Sequence, residues 1–140
     1  MNRQFSLMIA QFNPNLGDFD RNCDRIKNLQ AKAAARKVDL LALPEMSLTG
    51  YQVQDLILKP SFLNEVKSRI EKLALDLSIG PPVLLGAPSC ENKKIYNAYY
   101  LFEEGKYKIV SRKHHLPNTN VFDEKRVFTS GAISAPFEIK

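Results

Sequence analysis

The chain is poor in several of the features that usually announce a function. It has two cysteines, Cys23 and Cys90, in 140 residues. That is too few for a disulfide framework, and without a CxxC spacing neither belongs to a zinc or redox motif, so both read as reduced thiols. No apolar run approaches the roughly 18 residues of a membrane span, and "SLMIA" near the start is too short for the core of a signal peptide. A cytoplasmic protein with no membrane partner is expected. No Ser/Gly-rich phosphate loop or Walker pattern occurs anywhere, which argues against nucleotide chemistry in this segment. Positive charge is in excess, 20 Lys and Arg against 15 Asp and Glu. It is scattered rather than gathered into a stripe, so a nucleic-acid partner is not expected. The adjacent His114 and His115 would point to opposite faces of an extended segment and lack a third ligand at useful spacing, so no metal site is expected.

What is present is enough for one domain, with 44% hydrophobic and 25% charged residues. Strand and helix periods alternate. "QFSLMIAQF" (4 to 12) has the apolar density of a strand, and "NPNLGD" supplies turn residues before a helix that Asp18 or Asp20 could cap. In that helix Phe19, Cys23, Ile26 and Ala33 share a face, with Arg, Lys and Asn opposite. "VDLLAL" (38 to 43) is short and uniformly apolar, as in a central strand covered on both faces. Strand, helix, strand predicts parallel pairing. A second amphipathic helix follows Pro60, with Ser61 as its cap and Phe62, Val66, Ile70, Leu73 and Leu77 on its apolar face. "VLLGAP" (83 to 88) is a third buried strand. From Ile95 to Lys113, "IYNAYYLF", "EEGK" and "YKIVSRK" form a β-hairpin. Residues 114 to 130 read as loop, and "APFEIK" begins a further element.

Two charged features stand out against this α/β pattern. In "LALPEMSLTGY" (41 to 51) the apolar run stops at Pro44 and then offers a carboxylate, Glu45. In an open α/β sheet ligands gather at the carboxyl ends of strands, where Glu45 falls. In "SRKHHLPNTNVFDEKRVF" (111 to 128) Lys113 closes the hairpin's second strand, and Glu124 lies in a charged loop pinned between Phe122 and Phe128. Taken singly, each has an ordinary alternative: a solvated loop acid, an exposed lysine, a surface ion pair.

Together, "LALPEMSLTGY", "KHHLPN" and "VFDEKRVF" strongly resemble the nitrilase superfamily of carbon-nitrogen hydrolases. "YQVQDLILKPSF" and "NPNLGDFDRN" resemble, within it, the glutamine amidase domain of glutamine-dependent NAD synthetases. The likeness covers nearly the whole chain. It implies an α-β-β-α sandwich, of which residues 1–140 would be the N-terminal half, in a protein that forms a homo-oligomer. It implies a Glu, Lys, Cys triad in which Glu45 is the general base and Lys113 the lysine, with Glu124 orienting lysine and substrate. A thiol needs a nearby base at neutral pH, and an ammonium stabilises both the thiolate and the oxyanion of a tetrahedral intermediate. The nucleophilic cysteine of the family follows a strand beyond the lysine loop, so the nucleophile is not in this chain. Cys90 precedes the lysine and lacks that context. Thr119 stands where the family has a tyrosine lining the glutamine pocket, keeping a hydroxyl and losing an aromatic wall. The implied substrate is glutamine, with deamido-NAD, ATP and magnesium handled by a synthetase domain outside this chain, which holds no cofactor of its own. A stand-alone nitrilase-like amidase and a non-catalytic fragment are the alternatives.

Overall fold

The computed structural model describes residues 4–140. Five strands form one mixed sheet in the order β1 (Leu7–Ile9), β2 (Leu40–Ala42), β3 (Val83–Glu91), β4 (Lys94–Glu103) and β5 (Lys106–Arg112). β1, β2 and β3 run parallel, as the strand-helix-strand alternation predicts. β3, β4 and β5 then pair antiparallel through two tight hairpins. Their turns are made by Asn92 with Lys93 and by Glu104 with Gly105, all at positive φ, the geometry that matches the twist of flanking strands. β3 runs three residues past Pro88, because pairing with β4 carries the ladder through "SCE". Cys90 is therefore an exposed strand residue opposite Ile95.

Two 17-residue helices, α1 (Phe19–Ala35) and α2 (Pro60–Asp76), cover one face of the sheet. Asp18 caps α1, its side chain accepting from Arg21 N at 3.1 Å. α2 has no side-chain cap: it opens with Pro60 in its first turn, where a missing N–H costs nothing, so Ser61 does not serve as the cap. Ile26, Ala33, Val66, Ile70 and Leu73 bury against Leu41, Val83, Leu85, Tyr100 and Phe102. Complete burial of a Val, Ile, Leu or Phe side chain among these contributes roughly 1.5–3 kcal/mol. Asn22 departs from the expected polar face of α1. It is buried and ties two loops together, donating from Nδ2 to Asn15 O at 2.7 Å and Leu48 O at 2.9 Å.

Side chains alternate across the sheet, so Leu40, Leu84, Leu101, Tyr99 and Val110 point to the face away from the helices, where Ile139 packs on them. On β1, Leu7 and Ile9 alternate with the core-facing Met8 and are 48% and 68% exposed. This second face carries the charged residues singled out in the sequence. No helix among the described residues is long and apolar enough to cross a membrane.

Candidate active site

Glu45 leaves β2 through Leu43 and Pro44 and enters a turn of residues 45–49. Met46 takes φ +53°, a strained choice for a non-glycine residue, and is fixed there by burial and by Gly50 N donating to its carbonyl at 2.8 Å. Ser47, fully buried, donates from Oγ to Pro44 O. Asn22 holds Leu48 O from α1, and Gly17 N donates to Thr49 O at 2.9 Å. The "NPNLGD" turn and the "LPEMSLTG" loop are thus one folded unit. Its position over the sheet depends on Gly86 of β3. A Cβ there would lie 2.5 Å from Met46 N and 2.7 Å from Glu45 Cα and from Pro44 O. The Glu45 turn rests on the bare backbone of β3 at a distance only glycine permits.

Lys113 follows β5 immediately, with its backbone N donating to Asn97 O of β4 at 2.8 Å and its carbonyl accepting from Gly131 N at 2.9 Å. Chain on both sides therefore fixes where the ammonium emerges. Nζ lies 2.8 Å from Glu45 Oε1 and 3.0 Å from Glu124 Oε1, so one cation bridges two carboxylates from separate loops. Glu124 opens the four-residue helix α3 (Glu124–Val127), a helical turn within the stretch 114 to 130 expected to be loop. Its N donates to Pro117 O at 3.2 Å and its carbonyl accepts from Phe128 N at 2.8 Å. Tyr51, the last residue of the first motif, donates its hydroxyl to Glu124 Oε1.

Exposure separates the three charged groups. The side chain of Glu124 is 6% exposed, that of Lys113 28% and that of Glu45 42%. Burial alone would push the Lys113 ammonium below its usual range; the hydrogen bonds and charges of Glu45 and Glu124 outweigh it and hold the pKa above the ordinary value. The Tyr51 hydroxyl is pushed well above its usual range by burial, by its bond to Glu124, and by the charges of Glu124 and Glu45, so it stays a neutral donor. Glu124 Oε2 is buried and makes no hydrogen bond to a protein group. Beside it lies a cavity of about 230 Å3, bounded by Met46, Tyr51, Val53, Val121, Glu124 and Phe128.

Glu45, Lys113 and Glu124, far apart in sequence, form one contiguous cluster. Thr119 stands outside that hydrogen-bonded group: it is exposed, and its carbonyl accepts from Phe122 N at 3.1 Å. His114 and His115 stack edge to face with ring centroids 4.7 Å apart, and His114 Nδ1 lies 2.6 Å from Gly131 O. Sequence reasoning missed Gly86, Asn97 and Tyr51 as members. Asn97 left a trace, a lone amide inside the apolar strand "IYNAYYLF". Its side chain, 5% exposed, donates from Nδ2 to Glu45 Oε1.

The chain that carries this cluster has relatives among known proteins. Residues 7–139 match the carbon-nitrogen hydrolase family, and the chain belongs to it. Within that family it is 38% identical over 139 residues to the glutamine-dependent NAD(+) synthetase of Rhodobacter capsulatus, covering 99% of this chain and 25% of that protein. It is 38% identical over 130 residues to that of Thermotoga maritima, covering 92% and 22%. The structure of glutamine-dependent NAD+ synthetase from Acinetobacter baumannii, in complex with ADP, superposes with a TM-score of 0.82 at 31% identity, over 96% of this chain and 26% of its own. An amidase from Nesterenkonia sp. shares the fold, with a TM-score of 0.75 at 21% identity over 94% of this chain and 50% of its own. The chain spans about a quarter of the length of the NAD synthetases it matches.

Proposed function

We propose that this chain is the N-terminal part of the glutamine-hydrolysing domain of a glutamine-dependent NAD synthetase, releasing ammonia for the ATP-dependent amidation of deamido-NAD. The observation that carries this reading is the Lys113 ammonium within hydrogen-bonding distance of both Glu45 and Glu124. Two relatives matched over more than nine-tenths of this chain at 38% identity are named glutamine-dependent NAD(+) synthetases.

In the proposed reaction a cysteine thiol from outside this chain attacks the side-chain amide of glutamine. Glu45, the more exposed carboxylate, takes the thiol proton and later delivers a proton to the departing ammonia. Lys113, kept charged by its two partners, stabilises the thiolate and then the oxyanion of the tetrahedral intermediate. Glu124 holds the lysine through Oε1 and so orients the ammonium toward the substrate. Collapse of the intermediate leaves a thioester, which water hydrolyses to glutamate. Thr119 is proposed as part of the rim of the glutamine pocket, where it keeps a hydroxyl and loses an aromatic wall. ATP and magnesium would act in the synthetase portion of such an enzyme and not at this cluster. The exposed apolar face of Leu7 and Ile9 supports packing against a further layer of the sandwich or a second subunit.

Glu45→Gln and Lys113→Ala in the full-length enzyme test the reading. Glutamine-driven NAD formation is expected to fall by about 10² to 10⁴-fold, the range for losing a general base, while ammonia-driven formation persists. Equal loss with both nitrogen sources would overturn it.

A further inference from the structure

The proposed base and lysine come from different parts of the chain, and one residue of the sheet touches both. Asn97 lies on β4 opposite Pro88, on the face away from the helices. Its side-chain Nδ2 donates to Glu45 Oε1, and its backbone carbonyl accepts from Lys113 N at 2.8 Å. The amide is buried and β4 is paired on both sides, so Asn97 is a rigid point from which the acid and the ammonium are measured off.

The bonds at Glu45 have a direction. Asn97 Nδ2 and Lys113 Nζ both fall on Oε1, and Oε2 takes up neither of them. A carboxylate held by two donors on one oxygen cannot swing freely about its terminal torsion. The other oxygen is then presented in a constant orientation to whatever proton it receives. The lysine supplies charge to this arrangement; the asparagine supplies its geometry, being buried and short where the lysine is long and flexible.

We propose that Asn97 is a positioning residue of the amidase site, fixing the Glu45 carboxylate so that Oε2 is the oxygen that accepts the thiol proton. This rests on the glutaminase reading above. Replacing the Asn97 side chain leaves its carbonyl, and so the Lys113 tether, in place. The expected loss is therefore confined to the aim of Glu45.

The test uses the full-length enzyme with Asn97→Ala and the similarly sized Asn97→Leu, each alone and combined with Glu45→Gln. Rates with glutamine and with ammonia are measured together with thermal unfolding. For Asn97→Ala the expected result is a fall in glutaminase kcat of about 10²-fold, the scale of a misplaced catalytic group, with KM for glutamine unchanged and the ammonia-driven rate retained. In the Glu45→Gln background Asn97→Ala is expected to cost nothing further, because the two act as a unit. If Asn97→Ala does not fold, Asn97→Leu decides by the same criteria, since it fills a similar volume and removes the donor without adding a charge. A raised KM at constant kcat, additive losses in the double variant, or a wild-type kcat in a folded variant would overturn the inference. A wild-type glutamine rate in Glu45→Gln alone would overturn the glutaminase reading beneath it, whereas a crippled Glu45→Gln beside an unimpaired Asn97→Ala would overturn the inference alone.

Discussion

Gly86→Ala is a one-carbon change that tests how the Glu45 turn is seated. The added Cβ would stand 2.5 Å from Met46 N and 2.7 Å from both Glu45 Cα and Pro44 O, where ordinary contact begins at 3.4 Å. All three neighbours are backbone atoms, so no rotamer change relieves the overlap. β3 is fixed by pairing with β2 on one side and β4 on the other, which leaves the 44–46 segment to move by about 1 Å. With Glu45 as the proposed base, a displacement of that size costs about 10²-fold in rate, equivalent to about 2.7 kcal/mol of barrier. Forcing the methyl into the packed interface costs about 1–3 kcal/mol of stability. The assay is the proposed glutaminase activity, as kcat in the full-length protein, with the proposed ammonia-driven synthesis as the internal control and thermal unfolding for stability. Wild-type kcat and an unchanged Tm would refute the reasoning, because they would mean that the turn is not in contact with β3.

Further outcomes follow from the hydrogen bonds around Glu124. Tyr51→Phe removes a donor to a carboxylate that is 6% exposed, and a loss of about 1–3 kcal/mol is expected in chemical denaturation. Glu124→Gln removes one of the two partners that raise the Lys113 pKa, so the basic limb of the glutaminase pH profile should move to lower pH. The linked stability has a definite sign. A lysine raised by folding contributes stabilisation that is fully present below its ordinary value of 10.5 and lost as pH rises through the folded value. The Tm gap between Glu124→Gln and the parent should therefore be largest at neutral pH and narrow above pH 10.5. On the helix side, Gln30 Nε2 donates to Leu77 O at 3.0 Å and Pro81 O at 3.1 Å, and Gln30→Ala should cost about 1–3 kcal/mol by leaving those carbonyls unpaired. Residues 1–140 expressed alone expose Leu7 and Ile9 on the open sheet face, and sedimentation is expected to show self-association; a monomer that unfolds cooperatively would count against it.

Much of the fold was legible because it follows period and punctuation. The apolar faces of α1 and α2, the parallel start of the sheet and the "EEGK" hairpin come from spacing and turn chemistry within a few residues. The ends of elements were less so. Pro88 suggested the end of β3, but the partner strand extends it, and Pro60 rather than Ser61 opens α2. The charged core of the site was visible as Glu45, Lys113 and Glu124 because each sits in a distinctive motif. The residues that seat it were not, since their reasons lie across the sheet. Asn97 meets Glu45 from 52 positions away, Tyr51 meets Glu124 from 73, and Gly86 matters through a backbone that no local pattern brings near it. Asn22, polar in sequence and buried in the fold, is hidden for the same reason: it bonds to carbonyls of two loops.

The most direct measurement is a crystal structure of the full-length enzyme with glutamine bound and its nucleophilic cysteine replaced by alanine. The expected result places the glutamine side-chain amide on the sheet face away from α1 and α2, within hydrogen-bonding reach of Lys113 Nζ, with Glu45 on the side from which the thiol would approach. Glutamine bound on the helix-covered face, or Lys113 turned away from both glutamates in that complex, would contradict it.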